Sequence, residues 1–456
     1  MVSASKRTEG ISFAFFLFLV YLFFLYLRPV ELFAQWLVDY RPMLFIWLFA
    51  FGGAITHVMV HKDAAAAPRH YWLLFGLMFA VFLSLAVRGL FGYAFSAIAE
   101  FSSALLLFVF MSFNLQSMSR VRMTCMVILV SLFMLAVAGI NAYHTGYMSE
   151  ELVMQQGTYN PAVEIPKVRP PIPAQDKSGA FLWRVRGVGF LNDPNDFGQA
   201  LVMAIPMLWL YFRQGAWIRN MLFVIMPSLV MGYCVVLTNS RGALLGIGSL
   251  LFFGVRSKLG NFKTILLMGA GAAGAIVIGA AGGREMSSKE RSAEERIEAW
   301  VEGFNMLKGS PLFGVGYGRF TDAYYLTAHN SFVLGFAELG LFGYFFWMAL
   351  IVLGFVAAGR VVQYTPPGSP ENRAAHLLRS SLVGYLVCAW FLSRTYQAVL
   401  YCLLALCTAV WINACRSPAY AGIKELHAPL KFFKTTCLMV VLSLAAVRGF
   451  ILMHYL

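Results

Sequence analysis

About a dozen times along its 456 residues the chain returns to an apolar run long enough to cross a bilayer, and that recurrence limits what it can fold into. The runs lie near 11–30, 43–61, 71–88, 94–114, 123–143, 197–212, 218–238, 241–255, 264–283, 331–358, 377–393, 395–415 and 435–453. With 60% hydrophobic and 12% charged residues, a soluble fold has nowhere to hide that surface. The sequence predicts an all-α polytopic membrane protein with about 12–13 transmembrane helices. Phe, Tyr and Trp, at 41, 20 and 10, suit lipid-facing surfaces and interfacial belts. Lys6 and Arg7 precede an apolar run too long for the core of a cleavable signal, so the first run is expected to remain as a span.

The net charge of +14 would draw nucleic acid only if it sat on a basic soluble domain, and none is visible. It follows the loops instead. With the N-terminus in the cytoplasm, alternate short connections carry Lys62 and Arg69, Arg120 and Arg122, Arg213 and Arg219, Arg256, Lys258 and Lys263, Arg360, Arg373 and Arg379, and Arg416, Lys424, Lys431 and Lys434. Two long connections, 144–196 and 284–330, then fall on the opposite, periplasmic side, with acids and bases nearly balanced. The chain thus divides into N-terminal helices (1–143), a first periplasmic loop (144–196), central helices (197–283), a second periplasmic loop (284–330) and C-terminal helices (331–456). Cys125, Cys234, Cys388, Cys402, Cys407, Cys415 and Cys437 are scattered through apolar runs without CxxC spacing, and read as packing residues.

The first long loop has a Pro-rich middle, Pro161 to Pro173, expected to be extended and irregular. It then passes through Arg184 and Arg186 to Asp193-Pro194-Asn195, where a helix should start with Asp193 or Asn195 as cap. Arg241 stands between two apolar runs with almost no loop to carry it into water, so it either snorkels to headgroups or faces a cavity and binds an anion. In the second long loop, Ser292-Ala293-Glu294-Glu295 has the form of a capping box. Ile297, Trp300, Val301, Phe304 and Leu307 recur behind it at helical spacing, which predicts an amphipathic helix over 293–308, stopped by Gly309-Ser310-Pro311. That helix should lie on the membrane or against other helices. Its Arg296 has an intrahelical ion pair with Glu295 or Glu298 as the plainer alternative to ligand binding.

Gly314-Val315-Gly316-Tyr317-Gly318 lacks the βαβ context of a nucleotide fingerprint and reads as a turn delivering Arg319, Tyr324 and Tyr325. His329 sits where the next span begins, either as an interfacial or capping residue or as a base, with Asn330 or Ser331 available as the cap. Glu338 should face away from His329 on a straight helix. Arg28, Glu31, Arg88, Glu100 and Arg394 also lie near the outer face.

Arginines at 184, 186, 241, 296 and 319 on one side of a bilayer suit phosphate or pyrophosphate, which guanidinium binds in bidentate fashion. With no ATP in the periplasm, the fitting ligand is a polyprenyl-pyrophosphate carrier. A nearby histidine would take the proton from an attacking sugar hydroxyl. With no DxD-type acidic pair for a divalent metal, arginine would offset the charge on the leaving group.

These segments also resemble a known family. Arg186-Gly187-Val188-Gly189-Phe190 with Asp193-Pro194-Asn195, Asn239-Ser240-Arg241-Gly242-Ala243, Glu295-Arg296-Ile297-Glu298-Ala299-Trp300, Pro311 to Phe320, and His329-Asn330-Ser331-Phe332 leading to Glu338-Leu339-Gly340 are similar in order and spacing to the O-antigen ligase and Wzy-type O-antigen polymerase superfamily. The resemblance covers about 180–350. It implies a metal-independent, inverting glycosyltransferase that moves glycan from undecaprenyl pyrophosphate to an acceptor, with no cofactor. Arg241 and Arg296 would bind pyrophosphate, His329 would be the base, and Arg186 and Arg319 would be further pyrophosphate ligands. Its partners would be the lipid-linked donor, an acceptor glycan or glycolipid, membrane lipids and polysaccharide chain-length or export proteins. Leu27-Arg28-Pro29-Val30-Glu31 resembles members that polymerise exopolysaccharide or O-antigen, which tilts the expectation from ligase towards polymerase. A lipid-linked oligosaccharide flippase is the competing class; it would show matching halves with broken helices, and no such repeat is visible.

Overall fold

Each expected span that falls within the described residues is helical. The computed structural model describes residues 12–60, 68–157, 172–176, 180–254, 291–416 and 428–455, together with Gly260, Lys263 and Ile423. The expected span 264–283, the Arg284 end of the second long connection and most of the Pro-rich stretch lie outside the described residues. The principal helices are α1 (Phe13–Leu27), α2 (Pro42–Val60), α3 (Pro68–Ala86), α4 (Phe91–Asn114), α5 (Met118–Thr145), α6 (Pro194–Leu208), α7 (Met226–Leu237), α8 (Arg241–Gly254), α9 (Arg291–Gly309), α10 (Ser331–Tyr364), α11 (Pro370–Ala389), α12 (Ala398–Cys415) and α13 (Pro429–Tyr455). Seven of the described helices are long and apolar enough to cross a membrane, and this is a multi-pass membrane protein.

The bundle is built around α12, whose Leu, Ala, Cys and Val side chains are buried on nearly every side, as an all-round apolar helix requires. α4, α10 and α11 pack against it, with α3 on the outer side of α4 and α10, and α6 on α11. Small residues set the closest approaches: a methyl group at Gly246 would meet Cys388 Sγ at 2.6 Å, and one at Gly76 would enter the Phe346 ring. Five of the cysteines are buried in this packing.

The two ends of the bundle differ. At one end, Arg416 bonds the Gln116 carbonyl, Arg373 bonds the Trp209 carbonyl, Arg120 donates to Asn114 O at 3.3 Å and Arg122 lies 5.6 Å from the Tyr211 ring. The other end carries both long connections. The first of these is more ordered at its ends than the sequence predicts: β1 (Val153–Gly157) and β2 (Phe181–Val185) form a two-stranded antiparallel sheet, with Val153 opposite Val185 and Gly157 opposite Phe181. The second holds α9, which starts at Arg291, so Ser292 is inside the helix and is not its N-cap. Its apolar face packs on α10 and α13, with Gly303 so close to Val333 that an added Cβ would meet Cγ1 at 2.4 Å.

α10 is not continuous. Gly340 has φ 60 and ψ −171, which breaks the helical hydrogen-bond ladder where Glu338 and Leu339 are fully buried. The Gly-rich segment supplies the missing partners. Val315 and Gly316 N–H donate to Ala337 and Glu338 carbonyls at 2.9 Å, while Leu341 and Phe342 N–H donate to Pro311 and Leu312 carbonyls at 2.8 and 3.1 Å. The two backbones are then in contact: a Cβ at Gly314 would lie 2.4 Å from the Glu338 carbonyl carbon, and one at Gly340 would lie 2.3 Å from that of Leu312. Arg88 seals the splice, its Nε and Nη2 donating to Gly314 O at 3.2 and 2.9 Å.

Gly314→Ala, which adds a clash with backbone to a φ of +69, is expected to cost about 3 kcal/mol. Gly318→Ala, at a φ of +71 but with open space around it, should cost about 1 kcal/mol. Thermal melting of the two variants in detergent checks the contrast; equal losses would mean that the close approach at Gly314 does not hold the splice.

Candidate functional site

Arg241 and Arg296 line one cleft at the end of the bundle that carries the long connections, together with Asn195, Asn239, Ser240 and Gly242, and with Phe391 and Leu392 as its apolar wall. Arg241 reaches it because the chain turns sharply after α7. Asn239 takes a left-handed conformation, φ 49, and its Nδ2 donates to Trp183 O at 2.8 Å. Ser240 then caps α8, its Oγ accepting from Ala243 N at 3.4 Å, which places Arg241 in the first turn. Gly198 lets α6 come against this turn, since a Cβ there would lie 2.8 Å from that of Ala243. Asn195 comes from the first turn of α6, which Asp193 caps by accepting from Asn195 N at 2.7 Å. Two helix N-termini therefore meet beside the two guanidiniums, and both favour an anion. The cleft is narrow, about 10 Å³, which is on the order of one water molecule.

Arg296 comes from the opposite wall. α9 is held over α10 by Trp300, whose Nε1 donates to Ala328 O at 3.0 Å and whose ring meets those of Trp390 and Phe450. The same bond fixes the residue before His329. His329 itself has φ 46, a rare backbone state for a side chain of that size. Asn330 caps α10, accepting from Phe332 and Val333 N at 2.9 and 3.2 Å, so the histidine is not needed as a cap. It is half-buried, outside the cleft lining but within electrostatic reach of Arg296. Burial, then the charge on Arg296, bring its pKa down to about 4, against the opposing pull of Asp193 and Glu295. At neutral pH the imidazole is uncharged and able to accept a proton.

The remaining arginines do not line the cleft. Arg184 is buried and spans three segments, its Nε donating to Thr238 O at 2.9 Å and Nη2 to Asn195 Oδ1 at 2.8 Å. Arg186 turns the other way, donating to the carbonyls of Glu151 and Glu150 at 2.9 and 2.7 Å, and holds the base of the hairpin. Arg319 pairs with Asp322 at 2.7 Å and lies 4.3 Å from the Tyr93 ring. Neither Arg186 nor Arg319 lines the cleft shared by Arg241 and Arg296.

Two acidic residues to which the sequence assigned no site role support the surroundings. Asp196, buried in the first turn of α6, forms an ion pair with Arg394 and accepts from Gln397 Nε2 at 3.5 Å. Arg394 N in turn donates to Ser331 Oγ at 2.9 Å, and Ser331 Oγ donates to Leu392 O at 2.5 Å. The connection between α11 and α12 is thereby tied to the residues around His329. Glu338 accepts from Phe320 N at 3.2 Å and so holds the loop after the Gly-rich splice. Its carboxyl is turned to that loop; His329 precedes the cap of α10 in a left-handed backbone state, so helical spacing does not relate the two residues. Only the nearby Pro and the dense Asp/Asn run hinted at Asp196; nothing local in the sequence marks Arg394 as its partner, 198 positions away.

Residues 226–348, about a quarter of the chain, match the family model described as O-antigen ligase. The matched stretch contains Arg241, Arg296, Arg319, His329 and the helix break, and ends within α10. No curated protein matches the chain.

A depressed histidine pKa has a consequence for stability. Between about pH 4 and 6.5 the unfolded chain binds a proton that the folded chain does not, so stability falls as pH drops through that window. His329→Asn, which tolerates the left-handed backbone, should lessen the fall, and Arg296→Gln should move the histidine pKa up towards 6.5. Melting curves against pH and histidine-resolved NMR titration check these; a wild-type pKa near 6.5 would contradict the burial described.

Proposed function

We propose that this chain, a membrane protein of the O-antigen ligase-related superfamily, is a glycosyltransferase that uses undecaprenyl-pyrophosphate-linked glycan as donor and works on the periplasmic side of a bacterial inner membrane. The observation that carries the reading is the shared cleft: two arginines from separate helices, over two helix N-termini, with a neutral histidine alongside. That arrangement suits a pyrophosphate leaving group and a hydroxyl nucleophile in the same place.

In the proposed reaction, His329 removes the proton from an acceptor sugar hydroxyl, and the oxygen attacks the anomeric carbon of the donor from the side opposite the pyrophosphate. The new C–O bond forms as the bond to the pyrophosphate oxygen breaks. Undecaprenyl pyrophosphate leaves, its charge offset by Arg241 and Arg296, and the anomeric configuration inverts. The guanidiniums thus supply the positive charge that a divalent metal supplies in many other transfers. Because the charge on Arg296 lowers the pKa of His329, a pyrophosphate bound at Arg296 would raise it again, so the base strengthens when the donor is in place. The Leu27–Glu31 segment favours a second lipid-linked glycan as acceptor; transfer to lipid A-core is the second reading.

Arg241→Ala, Arg296→Ala and His329→Ala are each expected to lower transfer by about 100-fold or more while the protein still inserts and accumulates. The assay is release of undecaprenyl pyrophosphate from lipid-linked glycan by purified protein in detergent micelles, where there is no membrane to cross. No turnover with either acceptor would favour a flippase, and a fully active variant would remove that residue from the mechanism.

A further inference from the structure

At the same end of the bundle, between the tip of α1 and the start of α2, lies a second cavity of about 280 Å³ that the proposed reaction does not use. Its walls are mainly apolar, with Phe24 and Val30 on one side and Val38, Met43 and Leu44 on the other. Three charged residues enter the lining: Arg28, Glu31 and Arg41, a balance of one positive charge. Both arginines adopt left-handed backbone conformations, φ 52 and φ 49, at the ends of short helical turns. A non-glycine residue in that state is uncommon, and two of them turn this connection back on itself to form the bowl. Arg28 forms an ion pair with Glu31, so an anion here would share Arg28 with a carboxylate and take Arg41 as its second cation.

The depth of the cavity indicates the kind of anion. Phe33, Trp36 and Tyr40 on the same connection are about 70% exposed, and aromatic residues of this kind sit at headgroup level. A site with apolar walls and guanidiniums at that level fits an amphiphile whose phosphate lies at the surface and whose chain runs down along Phe24 and Leu44. The cavity is also joined to the arginine cleft. Gly189, after β2, lies directly against Arg28, since an added Cβ would be 2.6 Å from Nε and 2.8 Å from Cζ. Tyr26 and Phe190 pack edge to face at 5.4 Å. Six residues further on, Asn195 lines the cleft with Arg241 and Arg296, and six residues of chain reach at most about 20 Å.

We propose that the cavity lined by Arg28, Glu31 and Arg41 seats the phosphate of a second lipid, the one that anchors the acceptor glycan, while the donor occupies the cleft of Arg241 and Arg296. This rests on the donor reading given above. The acceptor is then a phosphorylated glycolipid held at headgroup depth, and its glycan crosses the short distance to His329. The Gly189–Asn195 segment, touching both sites, sets that distance.

The test counts bound lipid. The purified full chain in dodecyl maltoside, titrated with undecaprenyl phosphate and read by native mass spectrometry, should take up two equivalents. Arg28→Asn with Arg41→Asn, asparagine being tolerated in the left-handed region, should weaken one equivalent about tenfold. In the transfer assay the same variant should raise KM for the acceptor about tenfold and leave KM for the donor unchanged. Arg241→Ala should weaken the other equivalent. If the arginine pair cannot be replaced without loss of folding, Met43→Trp, which fills the cavity and keeps both charges, should give the same result. Two equivalents bound with wild-type affinity in these cavity variants would overturn the proposal. So would displacement of that equivalent by phosphatidylglycerol at equal concentration, which would make it an ordinary lipid site, or by millimolar inorganic phosphate, which would make it an anion site only. If Arg241→Ala keeps both equivalents while the cavity variant loses one, the donor reading fails and the acceptor role with it, and the cavity remains a lipid-phosphate site only.

Discussion

A helix that breaks inside a membrane protein must find hydrogen-bond partners for the backbone it releases, because hydrocarbon offers none. The break in α10 at Gly340 is met by the Gly314–Gly316 segment and by Arg88, and much of the functional end follows from that solution. A loop committed to bonding Ala337 and Glu338 on one side of the break, and Leu341 and Phe342 on the other, cannot wander. Glu338 extends the hold to Phe320. By the time the chain reaches His329, it has been fixed from the side of α10 that lies beneath it and, through Trp300, from the side of α9 that lies above. The Gly-rich motif that looks like a ligand-binding loop is therefore a backbone splice, and its influence on the site is through position.

The charges at this end are arranged by the same economy of helix ends. α6, α8 and α10 all begin here, capped by Asp193, Ser240 and Asn330, and the first turns of α6 and α8 bring Asn195 and Arg241 to the cleft. Arg394, half-buried, and Asp196, buried, tie the α11–α12 connection to two of these helix starts. A pair with one buried member adds less to stability than to definition, since the desolvation of the carboxylate offsets much of its attraction. What it defines here is where Phe391 and Leu392 stand against the arginines.

Features that depend on local periodicity were legible in the sequence. The apolar runs, the amphipathic helix carrying Arg296 and the helix starts at Pro194 and Ser331 all follow from residue spacing and capping chemistry, and Arg241 stood out because a charge between two apolar runs has nowhere ordinary to go. What the sequence left open depends on contacts between distant segments. Arg184, Arg186 and Arg319 looked alike as charges near a bilayer surface; only the fold shows that the first bridges Thr238 and Asn195, the second holds the hairpin and the third pairs with Asp322. The strands β1 and β2 are five residues each and separated by a long connection, too short to stand out among the polar residues around them. Arg88 donates to Gly314 across 226 positions, a relation without any local signature.

The size of the arginine cleft has a further meaning. On the proposed donor reading, a cleft with room for about one water would widen between the walls contributed by α8 and α9 as pyrophosphate enters. Measured affinity then combines the intrinsic strength of the closed complex with the fraction of molecules that are open. Changes at Trp300 or Gly303, which only pack α9 onto its neighbours, would raise that fraction and loosen the aligned complex at once. On that reading, substrate capture and catalytic alignment would be opposed, with the packing of one amphipathic helix setting the compromise between them.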